Sequence, residues 1–367
     1  MTQSKIAKVL IACGGTGGHV FPGISIAEEF VGRDSATQIV FVGTKRGIEK
    51  DIIANTSWRL IKVYAPSIKD KKLFLKLFTF MTLPVSIYES YRVIKKEAPD
   101  MVIGVGGYAS GSIIFVASLM RRITAIVEPN AIAGFTNRIL GRFVAKVYTG
   151  FSEAGELFPK NKVLMTGNPV RKEILSVRNK KQINRNETTI FCLGGSQGAV
   201  AVNRLIVEAL PFLADNKRKF KFIHQAGKKD DLEKIRASYK KYNFEAEVYD
   251  FVDRIWEIYE KADLVVGRSG ATTIGELLAV GLPAIFIPYP SAADDHQWIN
   301  AQGLSRCGGA VVLRQDCLNG QKLAEEIIKL TPSQLEVMRS SLLSFRKPDA
   351  VEKIVDDCFK LIENKIA

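Results

Sequence analysis

Short apolar runs alternate with longer amphipathic segments along the whole chain. The runs are three to five residues long and rich in valine and isoleucine, as buried strands are, and the segments between them have the period of helices. Strands that alternate with helices form parallel sheets covered on both faces. The pattern therefore predicts an α/β protein with two doubly wound domains. The expected strands are 9–12, 39–42, 59–63, 101–104, 125–127, 146–148, 189–192, 221–224, 247–251, 264–267, 284–288 and 310–313.

Two breaks in this pattern divide the chain. Residues 167–171 (Gly-Asn-Pro-Val-Arg) are typical of a junction, and the polar stretch 178–187 leads into the second set of strands. The other break, at 346–349, precedes an amphipathic segment that we expect to form a helix over 350–364 and to pack on the first domain. The predicted domains are residues 1–167 with 348–367, and residues 168–347.

Length, composition and charge narrow the class of protein. The chain has 367 residues, of which 47% are hydrophobic and 25% charged, as in a globular protein. Its net charge of +14 favours an anionic partner, but lysine and arginine are scattered and no nucleic-acid-binding module is recognisable, so we expect no nucleic acid partner. Five cysteines without a C-x-x-C pair favour a reducing compartment and suggest no metal site. Because signal-peptide and membrane-spanning patterns are not found, we expect a cytoplasmic location or attachment to a cytoplasmic surface.

The chain makes one kind of turn twice. Residues 13–19 (Cys-Gly-Gly-Thr-Gly-Gly-His) and 193–199 (Leu-Gly-Gly-Ser-Gln-Gly-Ala) each follow a predicted strand and precede a predicted helix. Glycines let the backbone approach an anion closely, and the N-terminus of a helix carries partial positive charge. We call these segments the first and second glycine turns, and they predict one phosphate-binding site in each domain.

Residues 263–288 suggest recognition of a nucleotide. They predict a strand at 264–267 and a helix at 271–280, with Ser269 as its N-cap and Gly281 as its end. Glu276 lies two turns along this helix, about 10 Å from the cap and on the same face. If a diphosphate lies at the helix start, the carboxylate can accept hydrogen bonds from ribose hydroxyls. The alternative is an ordinary solvated glutamate on a helix surface.

Six motifs occur in the order found in one enzyme family. This order, over nearly the whole chain, resembles the MurG family of bacterial glycosyltransferases, which add N-acetylglucosamine to the lipid-linked precursor of peptidoglycan. Six ordered motifs are more specific than one glycine-rich loop. The motifs are Gly14-Gly15-Thr16-Gly17-Gly18-His19, Gly106-Gly107-Tyr108, Glu128-Pro129-Asn130, residues 167–171, residues 194–199, and the run from Arg268 to Glu276.

The resemblance implies a GT-B fold, in which an N-terminal acceptor domain and a C-terminal donor domain face each other across a cleft. The donor would be UDP-N-acetylglucosamine and the acceptor undecaprenyl-diphosphate-linked MurNAc-pentapeptide, joined by a β(1→4) bond. The enzyme would be a peripheral protein at the cytoplasmic face of the bacterial inner membrane.

Matching motifs also imply roles for residues. Ser196 and the start of the helix at 271 would hold the diphosphate, Val252 would meet the uracil through its backbone, and Gln297 would bind sugar hydroxyls. The loop at 106–108 would face the acceptor diphosphate. The implied donor residues are Thr16, Gly17, Gly18, Asn130, Arg171, Ser196, Val252, Ala271, Thr272, Thr273, Ile274, Gly275, Glu276 and Gln297, and the implied acceptor residues are Gly106, Gly107 and Tyr108.

The chain departs from the family pattern at two places. The family commonly has His-Glu-Gln-Asn where this chain has Val-Glu-Pro-Asn at 127–130, and often Gln-Gln where it has His296-Gln297. The first change removes a histidine. Its proline also lacks a backbone donor and fixes φ, which can reshape the acceptor wall.

Inverting glycosyl transfer needs a base for the acceptor hydroxyl and stabilisation of charge on the departing diphosphate. Glycine turns and helix ends supply fixed dipoles for the second task, so we expect no cofactor, no metal and full activity in chelator. His19 is the first candidate base, because imidazole titrates near neutral pH; its alternative role is to brace the glycine turn. Glu128 is the second candidate, and its alternative role is to hold a loop.

Other functions stay open at this point. Residues 104–109 (Gly-Val-Gly-Gly-Tyr-Ala) fit the dinucleotide fingerprint, which suggests an NAD-dependent oxidoreductase, and a UDP-sugar epimerase could use the same donor domain.

Residues 69–81 place apolar side chains on one helical stripe with lysines opposite, which favours an anionic membrane surface as partner. The alternative is a helix that faces the core. The apolar residues of the stripe are Leu73, Phe74, Leu77, Phe78 and Met81.

Overall fold

The computed structural model describes residues 7–366, apart from 16, 45, 46, 48, 66–72, 178–185 and 195–197. The chain divides into two compact units, of which the first is Met1–Arg171 with Asp349–Ala367 and the second is Lys172–Pro348. The divisions lie four residues and one residue after the boundaries proposed from the sequence. Each unit contains one parallel sheet.

Among the described residues, the sheet of the first unit has seven strands. They are β1 (Lys8–Ala12), β2 (Gln38–Thr44), β3 (Arg59–Val63), β4 (Met101–Gly104), β5 (Ile123–Glu128), β6 (Lys146–Thr149) and β7 (Val163–Met165). Their order is β3-β2-β1-β4-β5-β6-β7, so the winding reverses between β1 and β4. Ala12 at the end of β1 pairs with Val42 of β2 and with Gly104 of β4, which brings three strand ends together.

The helices of the first unit cover both faces of its sheet, and the last helix of the chain is one of them. On that helix, Val351, Ile354 and Val355 are buried in the same core as Phe30, and the Phe30 ring packs edge-on against Phe359 at a centroid distance of 5.2 Å. The prediction that the closing helix packs on the first domain is confirmed. The helices are α1 (Gly17–Arg33), α2 (Glu49–Ala54), α3 (Leu73–Glu97), α4 (Tyr108–Leu119), α5 (Phe135–Leu140), α6 (Ser152–Gly155) and α15 (Ala350–Ile366).

The second unit repeats this plan, with six strands in the part of it that the structure describes. They are β8 (Glu187–Leu193), β9 (Lys219–Gln225), β10 (Glu245–Tyr249), β11 (Leu264–Gly267), β12 (Ala284–Phe286) and β13 (Ala310–Val312). Their order is β10-β9-β8-β11-β12-β13, so the winding reverses between β8 and β11. The helices are α7 (Lys172–Ser176), α8 (Val200–Ala214), α9 (Leu232–Lys241), α10 (Ile255–Lys261), α11 (Ala271–Val280), α12 (His296–Arg306), α13 (Gly320–Lys329) and α14 (Pro332–Phe345).

The apolar runs locate the strands well. All twelve predicted strands are present, with ends that differ by at most two residues. Strand β7 was not predicted, because it has only three residues, each half-buried at the edge of the sheet, and therefore gives a weak apolar signal. The predicted fold class, two doubly wound parallel sheets, is confirmed.

The predicted apolar stripe falls at the start of α3. Residues 69–72 and the side chains of 73–81 lie outside the described part of the structure, so the stripe stays a prediction. Across the residues that are described, none of the helices combines the length and the apolar character that crossing a bilayer requires.

Candidate active site

In each unit two of the predicted motifs lie at the carboxyl ends of the strands where the winding reverses. The first glycine turn follows β1, and the loop at 105–107 follows β4. The second glycine turn follows β8, and the turn at 268–270 follows β11. Such a reversal leaves a crevice beyond the strand ends, where open α/β sheets bind their ligands. The topology therefore supplies one candidate ligand crevice in each unit.

The first glycine turn holds His19 in the first turn of α1. The Nδ1 atom of His19 lies 3.2 Å from the carbonyl oxygen of Gly14, which can only accept, so Nδ1 carries the proton of this hydrogen bond. Burial lowers the pKa of His19, although this bond and the charge of Glu49 act in the opposite direction. The imidazole is therefore neutral near pH 7, with Nε2 as its basic nitrogen.

The loop after β4 packs directly against the first glycine turn. Gly106 and Gly107 adopt φ angles of +117° and +83°, which side-chain-bearing residues rarely adopt. A Cβ atom on Gly107 would lie 2.1 Å from the Gly14 carbonyl oxygen. One on Gly106 would lie 2.5 Å from Cδ2 of His19. These contacts account for Gly106 and Gly107 without a dinucleotide.

Glu128 is buried at the end of β5 and holds the loop that follows it. Its Oε1 atom accepts hydrogen bonds from the backbone nitrogen and the side-chain nitrogen of Asn130, at 3.0 and 3.1 Å. Its Oε2 atom accepts from the backbone nitrogen of Gly134 at 3.0 Å and from Nδ2 of Asn137 at 2.9 Å. With 1% of Glu128 exposed, this geometry favours the loop-holding role.

The residues that depart from the family pattern fit their surroundings. Val127 is buried in the core of the first unit, where an apolar side chain is favourable. The carbonyl of Pro129 accepts a hydrogen bond of 3.1 Å from Nδ2 of Asn168 in the predicted junction.

The guanidinium of Arg171 lies 4.3 Å from the ring centroid of Phe21 on α1, a cation–π contact. The end of the junction is thus attached to the first unit.

Helix α11 begins at Ala271, but its N-cap is Gly270 and not Ser269. Gly270 has φ −63° and ψ 141°, and no side chain caps the helix. The Ser269 hydroxyl instead donates to the backbone carbonyl of Gln297, at 2.8 Å. The predicted cap is wrong because the turn runs one residue further before the helix begins. The predicted end at Gly281, in the left-handed conformation, is confirmed.

Glu276 lies on the buried side of α11. Only 6% of it is exposed, and its Oε2 accepts a 2.8 Å hydrogen bond from the hydroxyl of Tyr259. Tyr259, on α10, is fully buried and packs edge-on against Phe191. The alternative of a solvated surface glutamate is therefore wrong. Sequence reasoning missed Tyr259, since nothing in its own segment marks it as the partner of a residue seventeen positions later.

The other predicted donor residues differ in their surroundings. The side-chain oxygen of Gln297 accepts a hydrogen bond of 2.9 Å from the backbone nitrogen of Tyr289. Val252 is half-exposed in the segment after β10. Thr16, Ser196 and the side chain of Tyr108 lie outside the described part of the structure. Gly17 and Gly18 begin α1; within α11, Ala271 and Ile274 are buried, and Thr272, Thr273 and Gly275 are half-exposed.

A buried polar network lies behind the second glycine turn. The two ring nitrogens of His224, on β9, lie 2.9 Å from the Tyr239 hydroxyl and 3.0 Å from Oδ1 of Asn203. Nδ2 of Asn203 donates to the carbonyl of Ala226 at 2.9 Å. A Cβ atom on Gly198 would lie 3.0 Å from that carbonyl oxygen. The network therefore connects the interior of the second unit to its glycine turn.

The network should make the second unit sensitive to acid. Burial lowers the pKa of His224 to about 4, against the opposing charge of Asp230. The unfolded chain then binds more protons than the folded one, so the free energy of unfolding should fall by up to about 3 kcal/mol between pH 6.5 and pH 4. Urea unfolding of the wild type and of His224→Gln across this range measures the effect. A pH dependence that is the same in both proteins would contradict it.

The described residues contain no group of three or more His, Cys, Asp or Glu side chains that could hold a metal ion. All five cysteines are free thiols. Burial raises the pKa of the Cys192 thiol to about 12, so this thiol stays protonated near neutral pH.

Family profiles match both units of the chain. The N-terminal domain of glycosyltransferase family 28 matches residues 9–149, and the C-terminal domain of the same family matches residues 189–354. The chain belongs to glycosyltransferase family 28. The resemblance seen in its motifs is confirmed.

Relatives with established names resemble this chain over nearly its whole length. A protein of Myxococcus xanthus is 42% identical over 97% of this chain and 93% of its own, and is named UDP-N-acetylglucosamine--N-acetylmuramyl-(pentapeptide) pyrophosphoryl-undecaprenol N-acetylglucosamine transferase. The crystal structure of Acinetobacter baumannii MurG superposes with a TM-score of 0.77 at 27% identity, covering 98% of this chain and 99% of that one.

Enzymes outside family 28 share the fold. A UDP-GlcNAc 2-epimerase from Neisseria meningitidis, solved with UDP-GlcNAc bound, gives a TM-score of 0.67 over 96% of this chain and all of its own, but is 14% identical. Likeness at that identity concerns the fold alone. Membership of family 28 therefore sets aside both the epimerase and the oxidoreductase alternatives.

Proposed function

We propose that this enzyme transfers N-acetylglucosamine from UDP-N-acetylglucosamine to undecaprenyl-diphosphate-linked MurNAc-pentapeptide. The 4-hydroxyl of the muramyl sugar attacks, and the transferred carbon is inverted. The observation that carries the proposal is the 42% identity, over nearly all of both chains, to a relative named for this transfer.

The proposed donor site lies in the crevice of the second unit. The diphosphate binds at the N-terminus of α11 together with Ser196, because the helix dipole favours negative charge there. The carboxylate of Glu276, held by the Tyr259 hydroxyl, accepts hydrogen bonds from the ribose hydroxyls. Val252 meets the uracil and Gln297 the sugar.

The proposed base is His19. Its Nε2 takes the proton of the attacking hydroxyl while the bond from the sugar to UDP breaks, and UDP leaves with the electron pair of that bond. Glu128 holds Asn130 in this proposal and is not the base, because its two oxygens accept four hydrogen bonds. The roles of Thr16, Gly17, Gly18 and Arg171, and of the acceptor loop at 106–108, stay as the motifs predict them.

Incubation with labelled UDP-N-acetylglucosamine, with and without the lipid-linked acceptor, tests the proposal. Labelled lipid and UDP are expected to form in equal amounts, and only when acceptor is present. Conversion of the nucleotide sugar without acceptor, or no transfer to the lipid, would contradict the proposed reaction.

We also propose that the enzyme binds an anionic membrane surface, at the cytoplasmic face of the inner membrane, through α5 and the residues after it. Phe135, Ile139 and Phe143 are 69%, 45% and 49% exposed. Arg138 and Arg142 are exposed among them, and each basic residue adds about 1 kcal/mol of attraction to an anionic leaflet. We call these five residues the α5 patch. It directly follows the loop held by Glu128, so a lipid-linked substrate would arrive beside Asn130.

Replacing both Phe135 and Phe143 with serine should weaken binding to phosphatidylglycerol vesicles by at least about 10-fold, because two aromatic side chains no longer enter the interface. Vesicle sedimentation measures this, and turnover of a water-soluble acceptor should not change. The matched control is Phe212→Ser, since Phe212 is 47% exposed on α8 of the second unit. Equal loss in the control would contradict a specific α5 patch.

A further inference from the structure

The first glycine turn rests on a buried carboxylate, that of Glu49. Glu49 is the first residue of α2 and is fully buried. A carboxylate without hydrogen bonds is strongly disfavoured in a protein interior. The hydrogen bonds that Glu49 accepts therefore indicate what it does.

Glu49 joins the ends of two neighbouring strands. Its Oε1 atom accepts from the backbone nitrogen of Thr44, at 2.6 Å, and from the Thr44 hydroxyl, at 2.8 Å. Its Oε2 atom accepts from the backbone nitrogen of Gly15, at 3.2 Å. The carboxylate thus connects the end of β2 to the turn that follows β1.

Three glycines leave room for this side chain. A Cβ atom on Gly47 would lie 1.7 Å from Oε2 of Glu49, and one on Gly43 would lie 2.6 Å from its Cγ. One on Gly14 would lie 2.9 Å from Oε1. Any larger residue at these positions would displace the carboxylate. The glycine spacing of this region therefore provides a binding place for the Glu49 side chain.

The hydrogen bonds of Glu49 and His19 meet on one peptide group. The N–H of Gly15 and the C=O of Gly14 belong to the same planar unit and point in opposite directions. The N–H donates to Glu49, and the C=O accepts from Nδ1 of His19. Hydrogen bonds at the two ends of one peptide polarise and strengthen each other.

We propose that Glu49 is a positioning residue which, through the Gly14–Gly15 peptide, keeps the His19 imidazole oriented with Nδ1 protonated and Nε2 as its basic nitrogen. The consequence for turnover rests on the proposed role of His19. The consequence for the imidazole itself does not, because it can be measured without any substrate.

The test uses the Glu49→Gln variant of the full chain. A glutamine keeps the shape and can still accept from Thr44, but its NH2 group would then face the N–H of Gly15, donor against donor. The chain has three histidines, so the imidazole signals of 15N-histidine-labelled protein can be assigned by single replacements. At pH 8 the wild type should show His19 as one tautomer, protonated at Nδ1, and Glu49→Gln should show a mixture.

Kinetics give the second measurement. Glu49→Gln is expected to lower kcat by about 10–100-fold, as replacement of an outer orienting group does, with little change in the KM for UDP-N-acetylglucosamine. In a His19→Ala background, Glu49→Gln should cause no further loss of kcat, because the two residues act through one hydrogen-bonded unit.

Two variants separate positioning from general destabilisation. Glu97→Gln removes another buried carboxylate of the first unit, one paired with Lys8 at 3.1 Å, and should leave the His19 signals unchanged. Thr44→Val removes one hydrogen bond to Glu49 but keeps its charge, and should shift the His19 signals less than Glu49→Gln does. If Glu49→Gln does not fold, Thr44→Val carries the test.

An unchanged His19 tautomer in the folded variants would overturn the proposal. Full activity of His19→Ala would instead refute the proposed base and leave the tautomer result standing, so the two failures can be told apart.

Discussion

Replacing His19 with alanine is expected to lower kcat by about 10²-fold or more, because the acceptor hydroxyl loses its base. The KM for UDP-N-acetylglucosamine should change little, since the proposed contacts to the uracil, the ribose and the diphosphate lie in the other unit. Steady-state kinetics with the lipid acceptor measure both constants. Added imidazole should restore part of the rate if the missing function is proton transfer.

The pH profile gives an independent check on His19. Burial holds its pKa below the ordinary value of 6.5, so the neutral, basic form should persist to lower pH than for a solvated imidazole. The wild-type kcat should therefore begin to fall only below pH 6.5, and His19→Ala should lack this acid limb. If His19→Ala changed only the KM for UDP-N-acetylglucosamine and not kcat, His19 would contribute to donor binding and would not be the base.

Replacing Glu276 with glutamine is expected to weaken UDP binding by about 10²-fold, because hydrogen bonds from two ribose hydroxyls to an ionised carboxylate contribute about 3 kcal/mol together. Calorimetry with UDP measures the loss. The exposed Glu260→Gln on α10 is the matched control and should bind UDP as the wild type does. If Glu276→Gln bound UDP with unchanged affinity, the proposed contact between Glu276 and the ribose would be wrong.

The Tyr259 hydroxyl should affect UDP binding through its hydrogen bond to Glu276. Tyr259→Phe keeps the ring against Phe191 but leaves one carboxylate oxygen without the 2.8 Å hydrogen bond that orients it. We expect a smaller loss of UDP affinity, about 10-fold, of the size found for outer orienting partners. The wild type should bind the 2′-deoxy analogue of UDP less tightly than it binds UDP. The Glu276→Gln variant should bind the analogue and UDP with about equal affinity.

The sequence predicts the sheets because their strands are locally encoded. An apolar run such as 101–104 is recognisable from its own residues, and glycines mark where the chain turns at the strand end. Successive βαβ units cross over in one hand, which limits the possible topologies, but the strand at which the winding reverses is known only from the structure. Edge strand β7 was not predicted from the sequence, because it buries little surface and needs few apolar residues.

The details of the site depend on contacts between distant segments. Glu49 looks like an acidic residue at an ordinary helix start, and only the structure places its carboxylate against Gly15, thirty-four positions earlier. Tyr259 is equally inconspicuous until α10 packs beside α11. Periodicity records which face of an element is buried and does not record which side chain it meets there.

The departure of Ser269 from its predicted role has a similar cause. A serine before a helical segment is a good cap by propensity, but here its hydroxyl donates to a backbone carbonyl of α12, and Gly270 is the N-cap instead. Tertiary hydrogen bonding therefore overrode a local preference.

The return of α15 to the first unit has a consequence for biosynthesis. The second unit is one continuous stretch of chain, so all of it is synthesised before the helix that covers Phe30 in the first unit. The first unit, most of which is translated first, therefore completes its core last. Shortening the C-terminus, or fusing a bulky partner close to it, should therefore damage the crevice that contains His19 before it affects nucleotide binding.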